Sequence, residues 1–319
     1  TRIREVADRM NYRRRRAGRP SVNKSKQVTV ICARQVNTAD RVGFFGSLLD
    51  GVRSGVEEAG HRANVLVDGG SAGQNLLARR VIEEQSDAVV LVAVQDGSGY
   101  LELMERLKKP AVVINATRYP ARFSYVGVDN DGGMSQAVEH LIEYGHRHLA
   151  MVHNTHTLSY NLERISGFQD TLKRHGLEPA AMLGIDPDAK DADQQYHQLA
   201  ETLKDKATAV CVTNDHMAVT LADALIDQGV DIPGQMSIVG FDCGHSRTKS
   251  GLLPTSIRYD RGRLAREAVA MLDRLFDDPT LGYLSTVLPT KLHVRETSAS
   301  IEQPRSTHES MSPDSGVVR

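Results

Sequence analysis

Cysteine is scarce in this 319-residue chain: only Cys32, Cys211 and Cys243 occur. Three is too few, and an odd number, for a disulfide framework. Cys32 and Cys211 stand inside strand-like apolar runs and read as reduced core residues, which points to a cytoplasmic location. No run of about 18 apolar residues is present and the N-terminus carries no apolar signal segment, so neither a membrane span nor a secretory leader is expected. No GxGxxG follows the first strand-like run and no GxxxxGK[ST] occurs, which leaves a phosphate-cradling turn unsupported. There is no GxSxG elbow for a hydrolase. His146 and His148, and His153 and His156, are close in sequence, but no further His or Cys at ligand spacing joins them. No acid/base pair, metal or cofactor is therefore expected, and the chain does not read as an enzyme.

What is present is ordinary in bulk and uneven in charge. The apolar fraction is 40%, the charged fraction 25% and the net charge −1. Residues 1–26 hold ten Lys or Arg against Glu5 and Asp8, a net of +8, so the remaining body is −9. A basic arm on an acidic body is expected when one end meets a polyanion. Within TRIREVADRMN, Ile3, Val6, Ala7 and Met10 share one helical face, which nothing nearby in sequence covers. The following RRRRAGRPSVNKSK lacks apolar periodicity and reads as a flexible basic linker. Arg13, Arg14, Arg15, Arg16 and Arg19 are the candidate DNA contacts, since arginines in such arms neutralise phosphates or enter narrow minor grooves. A plain solvated charge run is the other reading.

From Val28 the pattern becomes regular. Strands are expected at 28–33, 62–69, 88–94 and 111–116, with helices at 44–59, 72–85 and 100–107 between them and a short extended piece at 125–130. A second series follows: helices at 134–144, 161–175 and 194–203, and a strand at 148–153. Strands alternating with helices of this length indicate right-handed crossovers and a parallel sheet. Toward the end, 256–260 reads as extended, 261–276 as a helix and 285–296 as one broken strand. Residues 300–319, rich in Ser, Pro and charge, read as disordered.

The most informative stretch is 207–243, ATAVCVTNDHMAVTLADALIDQGVDIPGQMSIVGFDC. Two short apolar runs flank a segment with Met217, Ala218, Leu221, Ala222, Leu225 and Ile226 at helical spacing, a β–α–β unit. Thr213, Asn214 and Asp215 end the first strand, and Asp242 ends the second. In an open parallel sheet both places lie at the carboxyl edge, where ligands bind. Asn214 or Asp215 could instead cap the helix, and the residues alone leave both readings open.

These residues resemble a known family. VTNDHMAVTLADALIDQGVDIPGQMSIVGFD is similar to the signature of the lactose-repressor/galactose-repressor family, a strand ending in Asn-Asp, a helix, Gly-x-x-Ile/Val-Pro, then a strand ending in Gly-Phe-Asp. VGVDNDGGMSQAVEHLIEYGHRHLAMV (126–152), ERISGFQDTL (163–172), PTSIRYDRGRLAREAVAML (254–272) and VLPTKLHVRET (287–297) match further family segments in order. TRIREVADRMNY resembles the third helix of the family's helix-turn-helix headpiece. The resemblance implies a cytoplasmic homodimeric regulator that binds operator DNA. Its α/β body would have two doubly wound parallel-sheet subdomains of the type I periplasmic-binding-protein kind. A sugar or related polyol or nucleoside in the cleft would control operator binding by linkage. It further implies a headpiece remnant and hinge at 1–26, an N-terminal subdomain at 27–125 plus 258–288, a C-terminal subdomain at 126–257 plus 289–298, and a disordered tail at 299–319. By position, Phe44, Phe45, Arg164, Asn214 and Asp242 would be effector-binding residues, which implies Asn214 and Asp242 as the ligand wall and Asp215 as the helix cap.

Several positions depart from the family pattern. The first two headpiece helices have no counterpart in the sequence, so specific operator reading by this chain alone is not expected. Pro20 and Ser21 stand near the place of the leucine that wedges into the minor groove, and Cys243 where a second Asp is common. The chain has no tryptophan, which many sugar-binding members use for stacking. No C-terminal leucine heptad suggests a tetramer. The competing reading is a periplasmic-type solute-binding protein built on the same body.

Overall fold

A computed structural model describes residues 25–32, 44–67, 72–92, 99–114, 123–155 and 158–301. The basic arm, including Arg13, Arg14, Arg15, Arg16 and Arg19, lies outside the described residues. The chain divides into two compact units, residues 1–127 with 260–287 and residues 128–259 with 288–319.

The first unit is built on one sheet. Strand β1 (Gln27–Cys32) pairs in parallel with β2 (Arg62–Val67) on one side and β3 (Ala88–Val92) on the other, followed by β4 (Ala111–Ile114) and β5 (Ser124–Val128). β11 (Ser285–Leu288) adds the edge, giving the order β11-β5-β4-β3-β1-β2. Val28, Val30 and Ile31 are fully buried, as a strand covered on both faces requires. The crossover helices are α1 (Phe44–Glu58), α2 (Ala72–Gln85) and α3 (Tyr100–Leu107). α1 buries Leu48, Val52 and Val56 on one stripe, each burial worth about 1.5–3 kcal/mol. α8 (Arg261–Asp277), capped by the Asp260 carboxylate on the Arg263 amide, packs on α1. That packing needs glycine: a Cβ at Gly51 would sit 3.2 Å from Ala265 Cβ, and one at Gly55 3.2 Å from Val269 Cγ2.

The second unit repeats the scheme. Strands β6 (Leu149–Asn154), β7 (Ala181–Ile185), β8 (Ala209–Val212), β9 (Ser237–Phe241), β10 (Thr255–Arg258) and β12 (Lys291–His293) form a sheet in the order β12-β10-β9-β8-β6-β7. It is parallel except for the antiparallel edge pair β10–β12. Helices α4 (Asn130–Glu143), α5 (Ser159–Arg174), α6 (Ala192–Leu203) and α7 (Asp215–Asp227) complete it. Met217, Ala218, Leu221 and Leu225 of α7 share a core with Val210, Val212 and Ile238 of the strands beneath. This is the α/β, doubly wound arrangement expected from the alternation of strands and helices.

Local differences have local reasons. α4 begins at Asn130 rather than 134, because the Asp129 carboxylate accepts from the Gly132 amide at 2.9 Å and caps a first turn that contains two glycines. β7 was not legible: AMLGI is short, glycine-containing and only partly buried, as an edge strand tolerates. The broken strand expected at 285–296 is two strands, interrupted at Pro289 and Thr290, and they join different sheets. Residues 299–301 are also held. The Ala299 amide donates to Ser237 Oγ at 3.0 Å, and the Ile301 amide to the Tyr144 carbonyl at 2.9 Å. His146 bridges Thr208 Oγ1 and Ser237 Oγ, while His140 meets Ser298 Oγ at 2.9 Å. Burial lowers the pKa of both imidazoles.

Candidate functional site

The carboxyl edge of the second unit's sheet gathers polar side chains around Arg164. This arginine, on α5, is only 1% exposed. Its Nε donates to Asn130 Oδ1 at 3.0 Å, its Nη1 to the Thr213 carbonyl at the end of β8, and its Nη2 to Asp242 Oδ1 at 3.2 Å. Its guanidinium carbon lies 3.6 Å from the Phe241 ring centre and 5.1 Å from that of Tyr160. A planar cation with five donors fits this place, because it can stack and donate in several directions at once; an ammonium could not. Buried charge is tolerated only when paired and hydrogen-bonded, and here both conditions are met.

Asp242 follows β9 with φ +96, in the left-handed region that side chains rarely adopt. Its side chain is 15% exposed. Besides Arg164, its Oδ1 accepts from the Tyr259 hydroxyl at 3.1 Å. Cys243, also left-handed at φ +50, keeps its amide on Ser256 Oγ at 2.9 Å. Its sulfur lies 2.9 Å from Arg295 Nη2 and 3.5 Å from His293 Nδ1.

The helix cap differs from the sequence assignment. Asn214, not Asp215, is the N-cap of α7: its Oδ1 accepts from the Met217 amide at 2.8 Å, with extended backbone at 214. Asp215 is the first helical residue and points into the unit. Its carboxyl accepts from Ser256 Oγ at 2.7 Å and from the Gly244 amide. Burial, aided by the nearby Asp242 charge, pushes its pKa up to about 7. The reversal follows from geometry: a cap must be the last non-helical residue, and Asp215 has already entered the helix.

Of the sequence candidates, the structure brings Arg164 and Asp242 into direct contact, and Asn214 adjoins Thr213, whose carbonyl takes an Arg164 donor. Phe44 and Phe45 open α1, but their side chains lie outside the described residues. Sequence reasoning missed Asn130, Glu163 and Tyr259. Asn130 was findable, since it follows β5 at a sheet edge just as Asn214 follows β8.

The periplasmic binding protein-like domain matches residues 138–298, half of the chain and the part that carries this edge. The chain belongs to the periplasmic-binding-protein-like family. Its sequence relatives in that family are transcriptional regulators, which bears out the resemblance to the lactose-repressor/galactose-repressor family. The HTH-type transcriptional regulator GalR of Escherichia coli (strain K12) is 26% identical over 275 residues, covering 84% of this chain and 79% of that protein. The arabinose metabolism transcriptional repressor of Geobacillus stearothermophilus is 26% identical over 195 residues, and the chain spans only 53% of its length. Among solved structures, a transcriptional regulator CelR–cellobiose complex superposes with a TM-score of 0.76 at 21% identity, covering 93% of this chain and 89% of that one. The lac repressor dimer bound to operator and the anti-inducer ONPF does so with 0.74 at 19% identity, covering 92% and 98%. At these identities the likeness of the structures establishes the fold. Among the described residues no helix is long and apolar enough to cross a membrane.

Proposed function

We propose that this chain is the effector-binding body of a cytoplasmic, homodimeric transcriptional regulator, in which a small neutral polyhydroxyl ligand controls the grip on operator DNA. The observation that carries this reading is the Arg164–Asp242 pair at the carboxyl edge of the second unit's parallel sheet, in a chain whose relatives include GalR and an arabinose repressor. A guanidinium and a carboxylate side by side supply donors and acceptors for hydroxyls without net charge, which suits a sugar better than an anion. Arg164, Asn214 and Asp242 are assigned to hydrogen-bond the ligand. The arginines at 13–16 and Arg19 are assigned to DNA phosphates.

Control requires that the ligand bind one conformational state better than another, by the free energy that shifts DNA affinity. A thermal-shift screen of cellobiose, D-ribose, D-galactose, L-arabinose, polyols and nucleosides tests the ligand half. A binder at 100 times its dissociation constant should stabilise by about 2.7 kcal/mol. Gel-shift titration of the gene's upstream region, with and without that binder, tests the DNA half. DNA binding indifferent to every member of the panel would remove the effector from the proposal.

A further inference from the structure

The pairs around Arg164 extend one step deeper than the ligand wall, to the carboxylate that opens the ERISGFQDTL segment. Glu163 precedes Arg164 on α5 and is buried at 3% exposure. Its Oε2 accepts from Asn130 Nδ2 at 2.9 Å, and the same Asn130 nitrogen donates to the Val128 carbonyl at 3.2 Å. Asn130 Oδ1 then accepts from Arg164 Nε at 3.0 Å.

Hydrogen-bond polarity makes this chain of contacts one-directional. The Glu163 Oε2 and the Val128 carbonyl both accept here, so the Asn130 amide turns its NH2 toward them. Its carbonyl oxygen is thereby left facing Arg164. Were the amide reversed, its NH2 would oppose the Nε–H, while its oxygen would oppose the carboxylate and the carbonyl. All three contacts would become repulsive, at low local dielectric where such errors are costly. Arg164, held at Nε from this side, then has its Nη edge aimed at Thr213 and Asp242.

We propose that Glu163, acting through Asn130, is the positioning residue that fixes the orientation of Arg164 at the ligand wall. This rests on the reading of Arg164 as a ligand-binding residue for its purpose, but the relay exists without ligand. Its consequence is discrimination: a guanidinium locked before the ligand arrives presents donors at fixed points, and a hydroxyl of the wrong configuration finds none.

The test is ligand-free, which separates its failure from that of the functional proposal. In 15N-labelled protein the Arg164 Nε–H resonance, identified by its loss in Arg164→Lys, should exchange slowly with solvent. Glu163→Leu should speed that exchange at least tenfold while other arginine signals keep their rates. Glu163→Gln, which retains an acceptor for Asn130, should restore slow exchange to within threefold of wild type. A role limited to packing would leave the Arg164 rate alone or move all signals together with the unfolding midpoint, and either result overturns the proposal. Should Glu163→Leu fail to fold, the wild-type protein still decides: both Asn130 Nδ2 protons should be protected from exchange, and unprotected ones overturn the relay.

Discussion

Phe241 and Asp242 are consecutive residues that address the same group: the ring of one lies 3.6 Å from the Arg164 guanidinium carbon, and the carboxylate of the other accepts from its Nη2 at 3.2 Å. In a regular strand consecutive side chains point to opposite faces. The left-handed backbone at Asp242, φ +96, breaks that alternation at the end of β9 and brings both onto one cation.

Removing the cation should therefore be severe. Arg164→Ala removes the ion pair to Asp242 and empties the acceptors at Asn130 and Thr213, and should destabilise the protein by about 3–5 kcal/mol. Urea denaturation followed by circular dichroism measures this. A change under 1 kcal/mol would mean the pair contributes nothing net.

Asn214 carries a cap and a proposed ligand contact, and the two are separable. Asn214→Ala should lose about 1 kcal/mol through the orphaned Met217 amide, whereas Asn214→Ser, still able to cap, should lose much less. If Asn214 also touches ligand, the serine variant should bind the best sugar of the screen more weakly despite near-native stability. Unchanged affinity would confine Asn214 to capping.

Asp215 should give stability a pH dependence of uncommon sign. Its folded pKa of about 7 exceeds the value near 3.9 of an unfolded aspartate. Its contribution is thus fully present below about pH 4 and is lost as pH rises through 7. His140 and His146, lowered by burial, act oppositely, losing their contribution as pH falls below about 6.5. Comparing Asp215→Asn with wild type isolates the first effect: the stability difference should move in the variant's favour from pH 4 to 7 and then level off. Parallel profiles would show that the carboxyl is ionised throughout.

Thiol labelling should single out one cysteine. Cys32 and Cys211 are buried and Cys243 is partly exposed. Native protein should react with one equivalent of a disulfide reagent at Cys243, and urea-unfolded protein with three. Two or three fast equivalents in the native state would place the buried pair at the surface.

Much of this arrangement was readable from residue order. The β–α–β unit over 207–243 follows from two short apolar runs and a helical stripe, and the same logic places Asp242 at the edge. The exchange of cap between Asn214 and Asp215 was not readable, because one residue's shift in helix start decides it. Glu163 was invisible for a different reason. A charged residue on a helix reads as solvent-facing until a buried amide partner is known, and Asn130 lies 33 positions away. Tyr259 likewise gains meaning only from Asp242, 17 residues earlier.

β11 and β12 are separated by only Pro289 and Thr290, yet they finish different sheets. On a ribosome, neither unit obtains its last edge strand until residues 285–293 have been made. A nascent chain stopped before residue 285 would carry an unfilled edge on both sheets at once, so the two units must complete together or remain exposed to pairing with other chains.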